Sequence, residues 1–176
     1  FTLWFQQLWA ESLGKVREDG SVGPTPLPAV GATDQHAQVQ LFMEGPHDKV
    51  VLFIATHVVP DPVEIPSLHG DEAALAYLGG KTLGDLLDVE RRATTEALRL
   101  RGRPSITLEM PAIDARSLGG LFMLWQIATV LAGALYGVDP LDQPGVELGK
   151  QLTYGLMGRD GWEAPELSAP DPRWRR

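Results

Sequence analysis

The chain has 176 residues, 15 Lys and Arg against 23 Asp and Glu for a net charge of −8, and no cysteine. That is one ordinary domain's length, enough to bury a real core, and the lack of cysteine excludes disulfides, a zinc finger and a thiol nucleophile. An acidic chain with no Lys/Arg-rich run offers no footprint for nucleic acid or an anionic membrane, both of which need clustered positive charge, so neither is expected as a partner and the cytoplasm is the simplest setting.

In chain order, the opening Phe1-Thr2-Leu3-Trp4 lacks an initiator Met, a basic n-region and a small-residue cleavage site, and reads as a cut inside a longer protein. Leu3, Trp4 and Leu8 recur at helical spacing, so residues 1–12 are expected to be the last turns of a helix stopped by Gly14. Gly20 to Thr33, with Pro24, Pro26 and Pro28 at its heart, reads as a loop. Thr33 or Asp34 then caps a short helix over 35–44, ended by Gly45-Pro46. The β-branched run within 49–59 is the kind of strand that lies buried on both faces of a parallel sheet. Pro60-Asp61-Pro62 ends it.

Thr82 to Arg101 carries Leu83, Leu86, Leu87, Ala97 and Leu98 on one face, which predicts a long amphipathic helix. Ser105 to Met110 reads as a second strand. From Ser117 to Val138 no residue is formally charged, a length that could cross a membrane. Gly119, Gly120, Gln126, Gly133 and Gly137 dilute it, and its charged surroundings favour a helix buried at the centre of a domain. A further helix runs from Pro144 to about Met157, and the acidic, Pro-broken 160–176 is expected to be a frayed or surface-draped tail. Alternating strands and helices indicate an α/β three-layer αβα sandwich with a parallel sheet. Two clear strands are too few for a complete sheet, so the remainder is expected from an absent upstream half.

Several chemistries are excluded. Gly79-Gly80-Lys81-Thr82 ends like a phosphate-binding loop, but Leu75 stands where its first glycine is needed, so it reads as a helix start. His36, His47, His57 and His69 lack the close spacing of a zinc site. Neither Gly-x-Ser-x-Gly nor Gly-x-Gly-x-x-Gly occurs.

The segment 141–150 is more suggestive. If Gln143 is near-helical, it and Lys150 project from one face about 10 Å apart, beside the positive end of the helix, which suits an anion. On spacing alone, a capped surface helix with a solvated lysine is the plainer reading.

Gly137 to Lys150, reading GVDPLDQPGVELGK, resembles the C-terminal signature of the glucose-6-phosphate isomerase family: an aromatic, Asp or Asn, Gln, any residue, Gly-Val-Glu, two residues, Lys. Leu141 stands in place of the aromatic and can fill the same apolar slot. Tyr77 to Thr82 resembles the family's start of a long helix, while Trp9 to Lys15 and Ala32 to Gln38 resemble active-site segments of bacterial members. The match runs in order from residue 1 to about 160, with the family's first signature, its Gly-Gly-Arg, absent. The resemblance therefore implies a C-terminal sugar-isomerase region over 1–159, a tail over 160–176, and a missing N-terminal half.

It implies a sugar-isomerase fold in an obligate homodimer with a shared active site, interconverting glucose 6-phosphate and fructose 6-phosphate without a metal or other cofactor. Carried over residue by residue, Glu11 matches the carboxylate that moves a proton between C1 and C2. His36 matches the histidine that helps open the ring and reaches the site from the partner subunit. Lys150 matches the lysine at the ring oxygen and hydroxyls, and Gln143 a substrate-contacting glutamine. A carboxylate near a helix C-terminus faces the negative pole, an arrangement suited to a base, and an imidazole near a helix N-terminus is favoured in its neutral form. A net charge of −8 opposes a doubly anionic substrate, so some of the site's cations are expected from the absent half, as is the phosphate-gripping Ser/Thr loop, which would leave the 176-residue piece nearly inactive alone. The alternative is a sugar-phosphate-sensing regulatory module of the same fold, which needs no proton-transfer base.

Overall fold

The computed structural model describes residues 1–56, 59–169, 171 and 173; His57, Trp174, Arg175 and Arg176 lie outside the described residues. The chain is a mixed α/β protein that divides into two compact units. The first comprises Phe1, Leu3–Pro26 and Trp125–Arg176, the second Thr2 and Leu27–Leu124.

The first unit opens with α1 (Thr2–Leu13), capped at Gly14 whose N–H donates to Ala10. Phe5 and Trp9 lie one turn apart on α1 and both meet the Trp125 ring of α5 (Ala115–Tyr136), at centroid distances of 4.6 and 5.8 Å in edge-on geometry. Such aromatic pairs add about 0.5–1.5 kcal/mol each beyond their area burial, and fully buried Leu13 completes the inner face of α1. Where a loop is expected after Gly14, the chain first makes a tight antiparallel hairpin of β1 (Lys15–Arg17) and β2 (Gly20–Val22). Three-residue strands are too short to show an alternation, so only the Pro-rich 23–30 remains loop. Helix α5 stops at Tyr136 because Gly137 takes a left-handed φ of 68°, letting the Val138 N–H reach back to Gly133.

The second unit is a β-α-β arrangement. Strands β3 (Val51–Thr56) and β4 (Ser105–Met110) pair in parallel, Val51 opposite Ser105 through Thr56 opposite Met110. Between them lie a short helix, α3 (Ala73–Ala76), invisible to periodicity, and α4 (Leu83–Leu100). Thr82 and Asp85 form a reciprocal capping box at the start of α4, as expected of a helix start, and Leu98 is fully buried. Helix α2 (Thr33–Glu44) begins after Ala32 rather than capped by Thr33 or Asp34; Asp34 instead accepts the Val30 N–H at 3.0 Å. Its side is tied to α4 by Gln35 Nε2 donating to Thr94 Oγ1 at 3.0 Å. Its C-terminal carbonyls at Met43 and Gly45 accept from the Arg103 guanidinium. The last helix, α6 (Pro144–Leu156), belongs to the first unit.

Two burial expectations are corrected. Every residue of β3 is half-buried rather than buried, because the sheet has two strands among the described residues and each keeps an open edge. In α5, Leu121, Thr129 and Gly133 are buried, but Leu124, Ile127, Val130, Leu131 and Leu135 stand exposed, Leu135 at 88%. A helix apolar all round needs cover on every side, and within the first unit α1 covers only the flank carrying Trp125. By length and composition α5 could span a membrane, with 22% of its most apolar window buried. After α6, Trp162 packs edge-on against Tyr154 of that helix, Arg159 lies 4.4 Å over the same ring, and a methyl group at Gly155 would collide with the Glu163 carbonyl.

Candidate active site

Glu11 is presented by the last turn of α1, where the buried pair Ser12 and Leu13 anchors one face and turns the carboxylate outward. Gln7, one turn earlier, donates to Glu11 Oε1 at 3.3 Å. Across from it, the loop 137–143 delivers the chain into α6. Leu141 N–H donates to Asp139 Oδ1 at 2.8 Å, an Asx turn that aims the following residues. Glu11, Gln143 and the first helical residues Pro144, Gly145 and Val146, with Ala10 and Gly14 of the α1 end, line one open cavity of about 310 Å3.

Gln143 is not near-helical. It is the N-cap of α6 with φ −146° and ψ 61°, and its side chain makes no capping bond. The helical rise that links it to Lys150 therefore starts one residue later, at Pro144. What the structure brings together at the cavity is Gln143 and Glu11, which the sequence spacing could not disclose, whereas Lys150 does not line it. The start of α6 has no side-chain cap, so its positive end faces the cavity unanswered by its own N-cap residue.

Lys150 stands two turns into α6 and donates to Glu147 Oε1 at 2.6 Å. The Glu147 carboxylate, by hydrogen bond and then by charge, raises the Lys150 ammonium above its ordinary lysine value, so it stays charged at neutral pH. Attraction to the Glu11 carboxylate is the smallest of the influences on it. His36 sits exposed in the first turns of α2, in the second unit. His47 and His69 are exposed. Among the described residues no group of three or more His, Asp and Glu converges as a metal site.

One residue escaped the sequence reading. Lys15, just past the Gly14 cap, turns its ammonium back onto the end of α1 and across to Asp142. The available signal was a lysine following a helix C-cap, where free carbonyls attract a donor.

Known proteins resemble the chain over most of its length. The phosphoglucose isomerase family profile matches residues 1–160. A glucose-6-phosphate isomerase of Rubrobacter xylanophilus is 52% identical over 161 residues, 92% of this chain and 36% of that protein. One from Thermus thermophilus is 49% identical over 153 residues, 85% of this chain and 36% of that protein. A crystal structure of a hypothetical protein from the same organism superimposes with a TM-score of 0.83 at 46% identity, covering 89% of this chain and 38% of that one. The chain thus spans less than two-fifths of the length of the relatives it matches.

Proposed function

Because the chain belongs to the phosphoglucose isomerase family, we propose that it is the C-terminal part of a longer enzyme that interconverts glucose 6-phosphate and fructose 6-phosphate through an enediolate, with no metal or other cofactor. The observation that carries this reading is the meeting of Glu11 and Gln143 at one cavity beside the uncapped start of α6, the helix that carries Lys150.

The reaction moves a weakly acidic proton next to a carbonyl, so it needs a base and a means to hold the resulting negative charge. In the open-chain aldose, the Glu11 carboxylate takes the proton from C2. The electron pair left behind forms the C1–C2 double bond, and charge gathers on the C1 oxygen. Lys150 and the open N-terminus of α6 face that charge, while Gln143 holds a sugar hydroxyl. The C2 hydroxyl proton passes to the C1 oxygen and Glu11 returns its proton to C1, giving the ketose. Before this, His36, supplied from a second subunit of a homodimer, assists ring opening by moving a proton between the anomeric hydroxyl and the ring oxygen.

The remainder of the protein, in this reading, completes a three-layer αβα sandwich. It adds strands beside the open edges of the β3–β4 pair and covers the apolar face of α5, which makes α5 a core helix of a cytoplasmic enzyme rather than a membrane span. A sugar-sensing module would not need a carboxylate poised for proton transfer, and Glu11 favours the enzyme over it.

A coupled assay with fructose 6-phosphate on the full-length protein tests the activity, and Glu11→Gln tests the base. We expect turnover to fall by about 10²–10⁴-fold, the usual worth of a general base, with sugar phosphate still bound. Retained turnover removes Glu11 from the mechanism. The 176-residue piece by itself is expected to be nearly inactive.

A further inference from the structure

We propose that Lys15 is the positioning residue of this site, a clamp that fixes the backbone carrying the base Glu11 against the backbone that leads into Gln143; the proposal rests on the isomerase reading above. An ammonium group has three protons to donate. Lys15 Nζ lies 2.8 Å from the Glu11 carbonyl oxygen, 2.9 Å from that of Ser12 and 2.7 Å from that of Asp142. The donor set is thereby filled by carbonyls alone. Two of them belong to the last turn of α1, whose final carbonyls have no partner within the helix. The third belongs to the residue immediately before Gln143, 127 positions away along the chain.

The Lys15 side chain is only 7% exposed, and the Asp142 carboxylate at 3.6 Å supplies the counter-charge that a nearly buried ammonium requires. At the same time the backbone of Lys15 is held in the β1–β2 ladder, paired with Val22. The clamp is therefore anchored at both its root and its tip. Neither Glu11 nor Gln143 touches the other's element through its own side chain among the described hydrogen bonds. The spacing of the two across their cavity depends on what holds their backbones, and three charge-assisted bonds from one side chain are a stiff device for that.

Displacing a catalytic group by about an ångström is enough to cost roughly 10²-fold in rate. Lys15→Met keeps the aliphatic stem and removes all three bonds. Lys15→Arg keeps the charge, but a planar fork does not converge on three carbonyls as an ammonium does. Each is made in the full-length protein and again with Glu11→Gln, and kcat and KM for fructose 6-phosphate are measured per folded site.

We expect Lys15→Met to lower kcat by about 10²-fold with KM changed by less than about threefold, and Lys15→Arg to lose roughly 10-fold. Because Lys15 acts through Glu11, neither substitution is expected to reduce the rate further once Glu11 is Gln. A kcat within about twofold of the parent for both variants, or losses that multiply with that of Glu11→Gln, overturns the proposal. A merely structural lysine would lower the folded fraction and leave kcat per folded site intact, which also overturns it. Should Lys15→Met not fold, Lys15→Arg carries the same test, and the same outcomes support or overturn the clamp. The parent proteins report separately on the function: no turnover by the folded wild type sinks the isomerase assignment itself, full turnover by Glu11→Gln removes Glu11 as the base and the clamp with it, and a normal Glu11 dependence with silent Lys15 variants sinks only the clamp.

Discussion

Helices α4 and α6 begin in opposite ways. At the start of α4 the Thr82 hydroxyl accepts the Asp85 N–H at 3.0 Å, and the Asp85 carboxylate accepts the Thr82 N–H at 3.0 Å. The helix answers its own orphan donors and goes on to bury Leu98 completely. At the start of α6, Pro144 removes one N–H, Gln143 makes no cap, and residues 141–153 all remain exposed. A helix whose first turn is self-satisfied has nothing left to offer a ligand and serves as scaffold. One whose first turn is open, over a cavity shared with a carboxylate, keeps its positive end available for the charge that develops in a reaction.

If that contrast is sound, substitutions on the two helices must fail differently in the full-length protein. The largest effect belongs to α6. Lys150→Met is expected to lower kcat/KM by about 10²–10³-fold, as removal of a charge-stabilising donor does, with the thermal midpoint unchanged. A lost midpoint with normal turnover would make α6 another scaffold helix. Next is Leu98→Ala on α4, which should cost about 2–5 kcal/mol in denaturant unfolding and leave kcat per folded site as it was. Thr82→Ala should cost about 1 kcal/mol by the same measurement, the usual worth of an N-cap.

The smallest effect is a pH dependence. The Thr82 hydroxyl and N–H hold the Asp85 carboxyl below the usual carboxylate range. A group whose folded value is depressed stabilises above its unfolded value, about 3.9 for Asp, and loses that contribution as pH falls through the folded one. The gap in unfolding midpoint between wild type and Thr82→Ala should therefore be full near neutrality and narrow in acid below the ordinary carboxylate range. A gap that widens in acid contradicts the capping box.

Much of this was legible in the residues. Amphipathic periodicity located α4, and Ser105–Met110 emerged as β4 with its bounds intact. Thr82 and Pro144 marked two helix starts because capping chemistry is local. The hairpin at Lys15–Val22 was not legible, since three residues per strand leave no period to detect. The fate of α5 was not either. Its composition says that it must be covered, but cover is supplied by other parts of a fold, and a sequence pattern reports only what a segment needs. The same limit hid Lys15, whose role depends on Asp142, far along the chain. Resemblance to a family singled out Glu11, Gln143 and Lys150, yet the cavity that Glu11 and Gln143 share, and the Glu147 partner of Lys150, came from the three-dimensional arrangement alone.

The perpendicular indoles of Trp9 and Trp125, with an interplanar angle of 88°, have a use beyond packing. Two such chromophores this close couple their electronic transitions, and Trp9 stands two residues before Glu11. The near-ultraviolet circular dichroism of the protein is thus a built-in gauge of where the base lies against α5, readable in the resting molecule before any sugar is added.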